Sequence, residues 1–388
     1  MANTLNLGDG NWATKEDSLL AYNSENNNYK PLPFDFSRGS SATRVNKDGL
    51  IETVGSGQAR IDYTDDSKGA LLLEPSRTNL ILTSASGTYG NQPASETNTI
   101  SPDGTNNAVI PTPDGNSDRY EYSISSDAYA TDTKLTYSWY RKRISTPINT
   151  SYIGDLQMNV LVNVTQVGST TQIQSDVNGF DRFQAIFNIT DGSASSIIRA
   201  YFGSIIGAGN SSIAYWGHQL EEGSYATSYI PTQGGVETRL ADSCNNDFSV
   251  ISTVANTNTV VLKFIPMGFD VDFAELLRFS DGTNEIALEG FSTNNYDMYG
   301  SGLTSSGMVD GALSLDAGSI NTISFSYSGT SLRFSHNGST INTIAPTGNL
   351  PTITEVSHSV GVLSPIKILD LRVYNDFKTQ EELNTLTI

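Results

Sequence analysis

The sequence predicts an all-β protein built around more than one core, and three observations carry that expectation. Short runs alternate apolar and polar residues, as in KLTYSWYRKR at residues 134–143, which is the period of a half-buried strand. Turn-forming Gly, Asn, Asp and Ser separate these runs, and 34 Gly with 18 Tyr and 15 Phe is a mixture suited to sheets joined by tight turns. A length of 388 residues exceeds what one hydrophobic core usually serves, so two or three domains are expected.

Charge narrows the partners. With 22 Lys and Arg against 41 Asp and Glu, the formal net charge is -19, which disfavours any surface meant to neutralise phosphates; nucleic acid is not an expected partner. The opening Met-Ala-Asn-Thr-Leu-Asn-Leu has neither a basic segment nor a long apolar run, and no later stretch approaches the roughly 20 apolar residues of a membrane helix. The reading is a chain without a Sec signal or membrane insertion. A single cysteine, Cys244, cannot form an intrachain disulfide, consistent with folding in a reducing cytoplasm. Its surroundings, Ala-Asp-Ser-Cys-Asn-Asn, suggest neither a His partner nor a pocket, so a structural role is expected.

In chain order, residues 1–30 form an Asn-rich arm whose sizeable apolar anchors are Trp12, Leu19, Leu20 and Tyr22. Residues 31–82 change character: Asn46-Lys47-Asp48-Gly49 reads as a turn between short strands, and Ala70-Leu71-Leu72-Leu73 as a buried run. Residues 1–82 together are expected to be a strand-rich arm and collar for attachment or oligomerisation. Residues 83–233 form the second unit, with a turn-rich entry at residues 101–108 and strands at 134–143, 180–189 and 197–202.

The organising stretch is residues 215–240. It begins as a strand, with Tyr215, Gly217 and Gln219 expected on one face and Trp216, His218 and Leu220 on the other. It then dissolves into punctuation at Gly223, Pro231, Gly234 and Gly235, and Gly234-Gly235 is the expected hinge between two cores. Residues 240–388 form the third unit. Strands are expected at 259–265, 275–279 and 320–327, and a hairpin turns on His336-Asn337-Gly338-Ser339. At the end a strand precedes a short helix with a capping box, Thr379 at the N-cap and Glu382 three residues on.

One block is specific. Phe34-Asp-Phe-Ser-Arg-Gly-Ser-Ser-Ala-Thr-Arg-Val-Asn-Lys-Asp-Gly-Leu-Ile-Glu52, then Arg60-Ile-Asp-Tyr63, then Leu71-Leu-Leu-Glu-Pro-Ser-Arg-Thr-Asn-Leu80 resembles bacteriophage virion proteins, the tail or head fibres and related adhesins. Residues 102–105 (Pro-Asp-Gly-Thr) and the closing residues 219–232 (Gln-Leu-Glu-Glu-Gly-Ser…Thr-Ser-Tyr-Ile-Pro-Thr) resemble carbohydrate-binding-module-like jelly rolls. The terminal Asp370-Leu-Arg-Val-Tyr-Asn followed by Thr379…Glu382-Leu resembles the laminin-G or concanavalin A-like sandwich, although Phe377 stands where that family more often has Leu. The resemblance implies two tandem β-sandwiches, a jelly roll and then a concanavalin A/laminin-G-like domain, after an N-terminal attachment region.

Glycosidases on such sandwiches set two carboxylates on one strand face, and only Glu285 and Glu289, four apart, hint at this; exposed strand acids account for them more simply, and no catalytic residues are assigned. The histidines His218, His336 and His358 have no metal-ligand spacing. No cofactor is expected, while calcium remains open through loop oxygens of Asp270 with Asp272, or of Asp281 with Asn284. Tyr137 and Trp139 share a strand face with Leu135 and belong to a core. Tyr296 and Tyr299, with Asn295, lie in an expected loop and are the sugar-stacking candidates.

The functional expectation is a non-enzymatic virion structural protein, made in the host bacterial cytoplasm. It is read as a short fibre that binds host-surface glycans and contacts other virion proteins through residues 1–80. The alternatives are an architectural decoration protein that binds no sugar and a polysaccharide-trimming hydrolase. No heptad or fixed-length repeat supports a long shaft, and a homotrimer is expected by resemblance to phage fibres.

Overall fold

The computed structural model describes residues 4–15, 18–23, 28–85, 95–111, 120–125, 129–144, 157–193, 197–202, 213–247, 257–268, 270, 274–292, 295–300, 313–315, 317–329, 331–346, 348–358 and 364–388. Among the described residues the regular structure is strand, apart from the helix Gln380–Leu386. The all-β sandwich expectation holds.

The division of the chain differs from three consecutive segments. Met1–Ser41, Val54–Ser76 and Leu240–Ile388 make one compact unit, the terminal unit, while Ala42–Thr53 and Arg77–Arg239 make the other, the central unit. The expected collar therefore has no core of its own. Its apolar runs find partners far along the chain: Leu71 pairs with Ile368 and Leu73 with Ile366, Thr4–Gly8 runs antiparallel to Ile366–Tyr374, and Phe36 pairs with Cys244. Leu7, Phe36, Ile61, Leu71 and Leu73 join Val260, Phe325 and Leu371 in a single hydrophobic core. The boundary also lies beyond the expected glycine hinge. Glu237–Arg239 still pairs with Arg77–Asn79, and the chain changes unit between Arg239 and Leu240.

In the terminal unit one layer runs in the order Ser339–Ile341, Ser331–His336, Asn321–Ser328, Thr257–Pro266 and Ile366–Tyr374. The other runs Leu313–Ser314, Asn295–Gly300, Glu285–Ser292, Ala274–Ser280, Glu355–His358 and Ser243–Asp247. Asn337 and Gly338 both have positive φ, 46° and 78°, and close the expected two-residue hairpin. The helix begins at the expected capping box: Glu382 N–H donates to Thr379 Oγ1 at 3.2 Å while Thr379 N–H donates to Glu382 Oε2 at 2.7 Å.

Two of the motif arginines, Arg38 and Arg60, are spent inside this unit. Arg38 Nη1 donates to Asp242 Oδ1 at 3.0 Å, Arg60 Nη1 to Glu74 Oε2 at 2.7 Å, and Arg60 Nη2 to the second Asp242 oxygen. All four side chains are fully buried. Glu74 N–H also donates to Asp242 Oδ2, and Asp242 N–H to the Glu74 carbonyl, so this part of the block knits together segments distant in sequence.

The six-stranded sheet of the central unit runs Ser95–Thr99, Ala108–Pro111, Ile213–Glu222, Lys134–Arg143, Phe180–Ile189 and Val164–Val177; Tyr120–Ser125, Ile197–Phe202 and Gln157–Val162 form a second sheet. Leu135, Tyr137, Trp139, Phe187, Tyr215 and Leu220 bury one face of the larger sheet. Tyr140, Phe180 and Trp216 face the other way, where Val45, Ile51 and Tyr229 cover them. The Pro102 turn is docked on the same cover, because Ile51 N–H donates to the Pro102 carbonyl at 2.9 Å.

Gly217 overturns the expected faces of the organising strand. Its φ of +66° and the register shift opposite Ser138 and Tyr140 insert a bulge, so Trp216 faces one way while His218 stacks on Tyr137 and Leu220 enters the opposite core. A Cβ at position 217 would meet Tyr140 Cδ2 at 2.8 Å, which leaves glycine as the fitting residue. The closing motif past this bulge is a buried clasp. Gln219 Nε2 donates to Glu221 Oε2 at 2.7 Å, Thr227 N–H to the same oxygen at 3.0 Å, and Ile230 N–H to Gln219 Oε1 at 2.6 Å.

His218 is fully buried, its Nδ1 2.7 Å from the Tyr137 hydroxyl, and burial pushes its imidazole down to about 3. Unfolded histidine takes up a proton near pH 6.5 that the folded chain refuses. The contribution of this group therefore falls as pH drops below about 6.5 and levels off near 3. Between pH 7.5 and 5, His218 is expected to remove about 2 kcal/mol of stability, and His218→Gln should lack that component. Urea denaturation of both proteins across this range checks it; identical pH slopes contradict a neutral buried imidazole.

Candidate functional site

The sugar candidates do not sit in a loop. Asn295, Tyr296 and Tyr299 belong to the strand Asn295–Gly300, and the pleat separates the two tyrosines because they are three apart. Tyr296 turns into the core and is 1 % exposed, whereas Tyr299, 40 % exposed, and the half-buried Asn295 face outward with Asp297. The loop expectation failed because the Asn295-Tyr-Asp297 composition looks like a turn, while pairing with Glu285–Ser292 holds Asn295–Gly300 extended.

The outward face of the three neighbouring strands carries an acidic row. Glu275 stands opposite Glu289, and Glu289 opposite Asp297; Cβ atoms of such pairs lie about 4.5–5.5 Å apart. A register shift between Glu275 and Leu277 lets Leu276 and Leu277 both reach the core while Glu275 and Arg278 keep to the outer side. Arg278 donates through Nε and Nη2 to Glu275 Oε2 at 2.9 and 2.5 Å, and its Nη1 lies 3.1 Å from Glu285 Oε2. Tyr299 falls in the next row, opposite Ala287, which is itself opposite Arg278.

The carboxyls of Glu275, Glu289 and Asp297 are held above the ordinary range. For Glu289 the cause is burial first, then the neighbouring Asp297, Glu275 and Glu285. Burial raises Asp297 as well, and raises Glu275 against the pull of Arg278. Chemically the face offers hydrogen-bond acceptors, negative charge and one partly exposed aromatic ring. Of the pair considered from sequence, Glu285 and Glu289 are indeed on one face; Glu275 and Asp297 were missed, since only strand register brings them alongside.

The calcium candidates fare differently. Asp270 is exposed, and Asp272 lies outside the described residues. Asp281 is occupied in its own turn, accepting from the backbone N–H of Thr283 at 2.9 Å, of Asn284 at 2.7 Å and of Thr352 at 3.1 Å. Among the described residues no group of three His, Cys, Asp or Glu side chains is placed to hold a metal ion. His358 and Cys244 are buried at paired positions of adjacent strands. No described helix is long and apolar enough to cross a membrane.

No protein-family model and no curated relative matches the chain. Among solved structures it is similar to the CBM40 of a Ruminococcus gnavus IT-sialidase bound to α2,3-sialyllactose, at 16 % identity and a TM-score of 0.27, covering 35 % of this chain and 84 % of that one. It is also similar to domain 4 of a GH43 extracellular arabinanase from Geobacillus stearothermophilus in complex with arabinotriose, at 16 % identity and a TM-score of 0.31, covering 42 % and 82 %. Domains LG4-5 of the mouse laminin α1 chain match at 9 % identity and a TM-score of 0.21, covering 76 % and 89 %. At these identities and TM-scores none of the three assigns the chain to a family.

Proposed function

We propose that the chain is a non-enzymatic structural protein of a bacteriophage particle, a short fibre whose lectin-like terminal unit binds host-surface glycans. The observation that carries the glycan reading is Tyr299, exposed on a sheet face beside the acceptors Asp297, Glu289 and Asn295. Sugars are gripped by an aromatic ring under their C–H face together with a few placed polar groups. The particle role is supported by the resemblance of residues 34–80 to phage fibre proteins. On this reading the chain is made in the bacterial cytoplasm, joins other virion proteins, and assembles as a homotrimer whose many copies turn weak single sites into useful avidity. Light scattering on the full chain tests the assembly, and a monomer defeats it.

A glycan array probed with the full-length protein tests the binding. Signals that Tyr299→Ala abolishes are expected, and a blank array leaves a purely architectural role. A hydrolase reading gains one specific observation, the cross-strand acid pairs, since retaining glycosidases hold their carboxyls about 5–5.5 Å apart. Incubation with host capsule or lipopolysaccharide is expected to release no reducing ends; robust release that Glu289→Gln abolishes would establish that reading instead.

A further inference from the structure

We infer that this outer face takes a saccharide bearing a free primary ammonium group, a 2-amino-2-deoxyhexose unit, with its ring on Tyr299 and its ammonium on the row Asp297, Glu289 and Glu275. The inference rests on the glycan-binding reading above and names its substrate class. Charge is the first ground. The three strands Ala274–Ser280, Glu285–Ser292 and Asn295–Gly300 carry four acids against one arginine. Arg278 is already engaged with Glu275 and Glu285, which leaves Glu289 and Asp297 facing each other across the strand pair. Like charges directly opposite destabilise a sheet. A cation between them removes that cost, a neutral sugar does not, and a uronic or sialic acid adds to it.

The second ground is an acceptor without a donor. Glu275 is only 5 % exposed, its Oε2 receives both bonds from Arg278, and its Oε1 is buried with no hydrogen-bond partner among the described residues. A buried oxygen left in that state is costly. An ammonium supplies three N–H donors and no competing acceptor. The third ground is spacing: Tyr299 lies two residues beyond Asp297 on the same strand face, about 7 Å away, so one hexosamine ring spans the aromatic surface and the acids.

Calorimetric titration of the full chain with a glucosamine oligosaccharide, its N-acetylated counterpart and an oligogalacturonate tests the inference. The free-amine oligomer should bind at least about tenfold more tightly than the acetylated one, with the uronate weakest. The double variant Glu289→Gln/Asp297→Asn, folded by circular dichroism, should bind the free-amine and acetylated oligomers equally, while Tyr299→Ala loses both. Equal binding of amine and acetylated forms overturns the ammonium inference and leaves glycan binding standing. A preference that survives in the double variant overturns the placement. Failure of every saccharide, together with a blank array, overturns both readings.

Discussion

Asp242→Ala is expected to destabilise the terminal unit by about 3–5 kcal/mol, the cost of leaving buried charge without its counter-ion. The aspartate holds Arg38 with one oxygen and Arg60 with the other, and accepts a backbone bond from Glu74 at 2.9 Å. With Asp242 gone, the two buried guanidiniums lose the carboxylate that they share, and neither can shed its proton, because arginine stays charged in proteins. Burial disfavours the Arg60 charge, but the neighbouring carboxylates Asp242 and Glu74 together outweigh it and push its pKa further up. By calorimetry the terminal unit should melt about 8–15 °C lower in the variant. A shift of under about 2 °C would mean that water or another acid replaces the carboxylate, and the buried-cluster account would fail. Substituting the whole set with apolar residues of similar volume is the informative contrast, since such replacements are often neutral or better.

The same cluster shows where sequence reading stops. Arg38, Arg60 and Glu74 were conspicuous as a motif, yet the motif is contiguous and its partner is not: Asp242 lies 182 residues beyond Arg60. Residues 31–82 read as a separate collar for that reason, and in three dimensions they supply strands and charges to two other bodies. Individual strands were legible because alternation is local, and the stretches 134–143, 180–189 and 197–202 emerge with the expected limits. Which face a residue takes was less so. One left-handed glycine reversed Trp216 relative to His218, and the acidic row depends on a register set by the turn at residues 281–284 and a bulge after Glu275. Tyr299 was legible as a candidate aromatic; its separation from Tyr296 required knowing that the segment is a strand.

Trp216→Ala is expected to cost the central unit about 3–5 kcal/mol, the range for removing a fully buried large aromatic. Trp216 is 1 % exposed, edge-on to Tyr140 with centroids 5.6 Å apart and tilted against Tyr229 at 4.5 Å. Its indole N–H donates to Asn107 Oδ1 at 2.8 Å, so truncation removes the packing and also strands a polar partner. The residue sits between the sheet and its cover, in the cluster that includes Val45 and Ile51. The cavity is therefore hard to close, because the Gly217 bulge fixes the strand on one side and the docked Pro102 turn holds the cover on the other. Trp216→Phe keeps most of the apolar contact and should lose less than half as much. Denaturant titration followed by circular dichroism separates the cases: if alanine and phenylalanine lose the same amount, the indole hydrogen bond rather than packing is what matters, and if neither loses more than about 1 kcal/mol, the cover does not bear on this face as described.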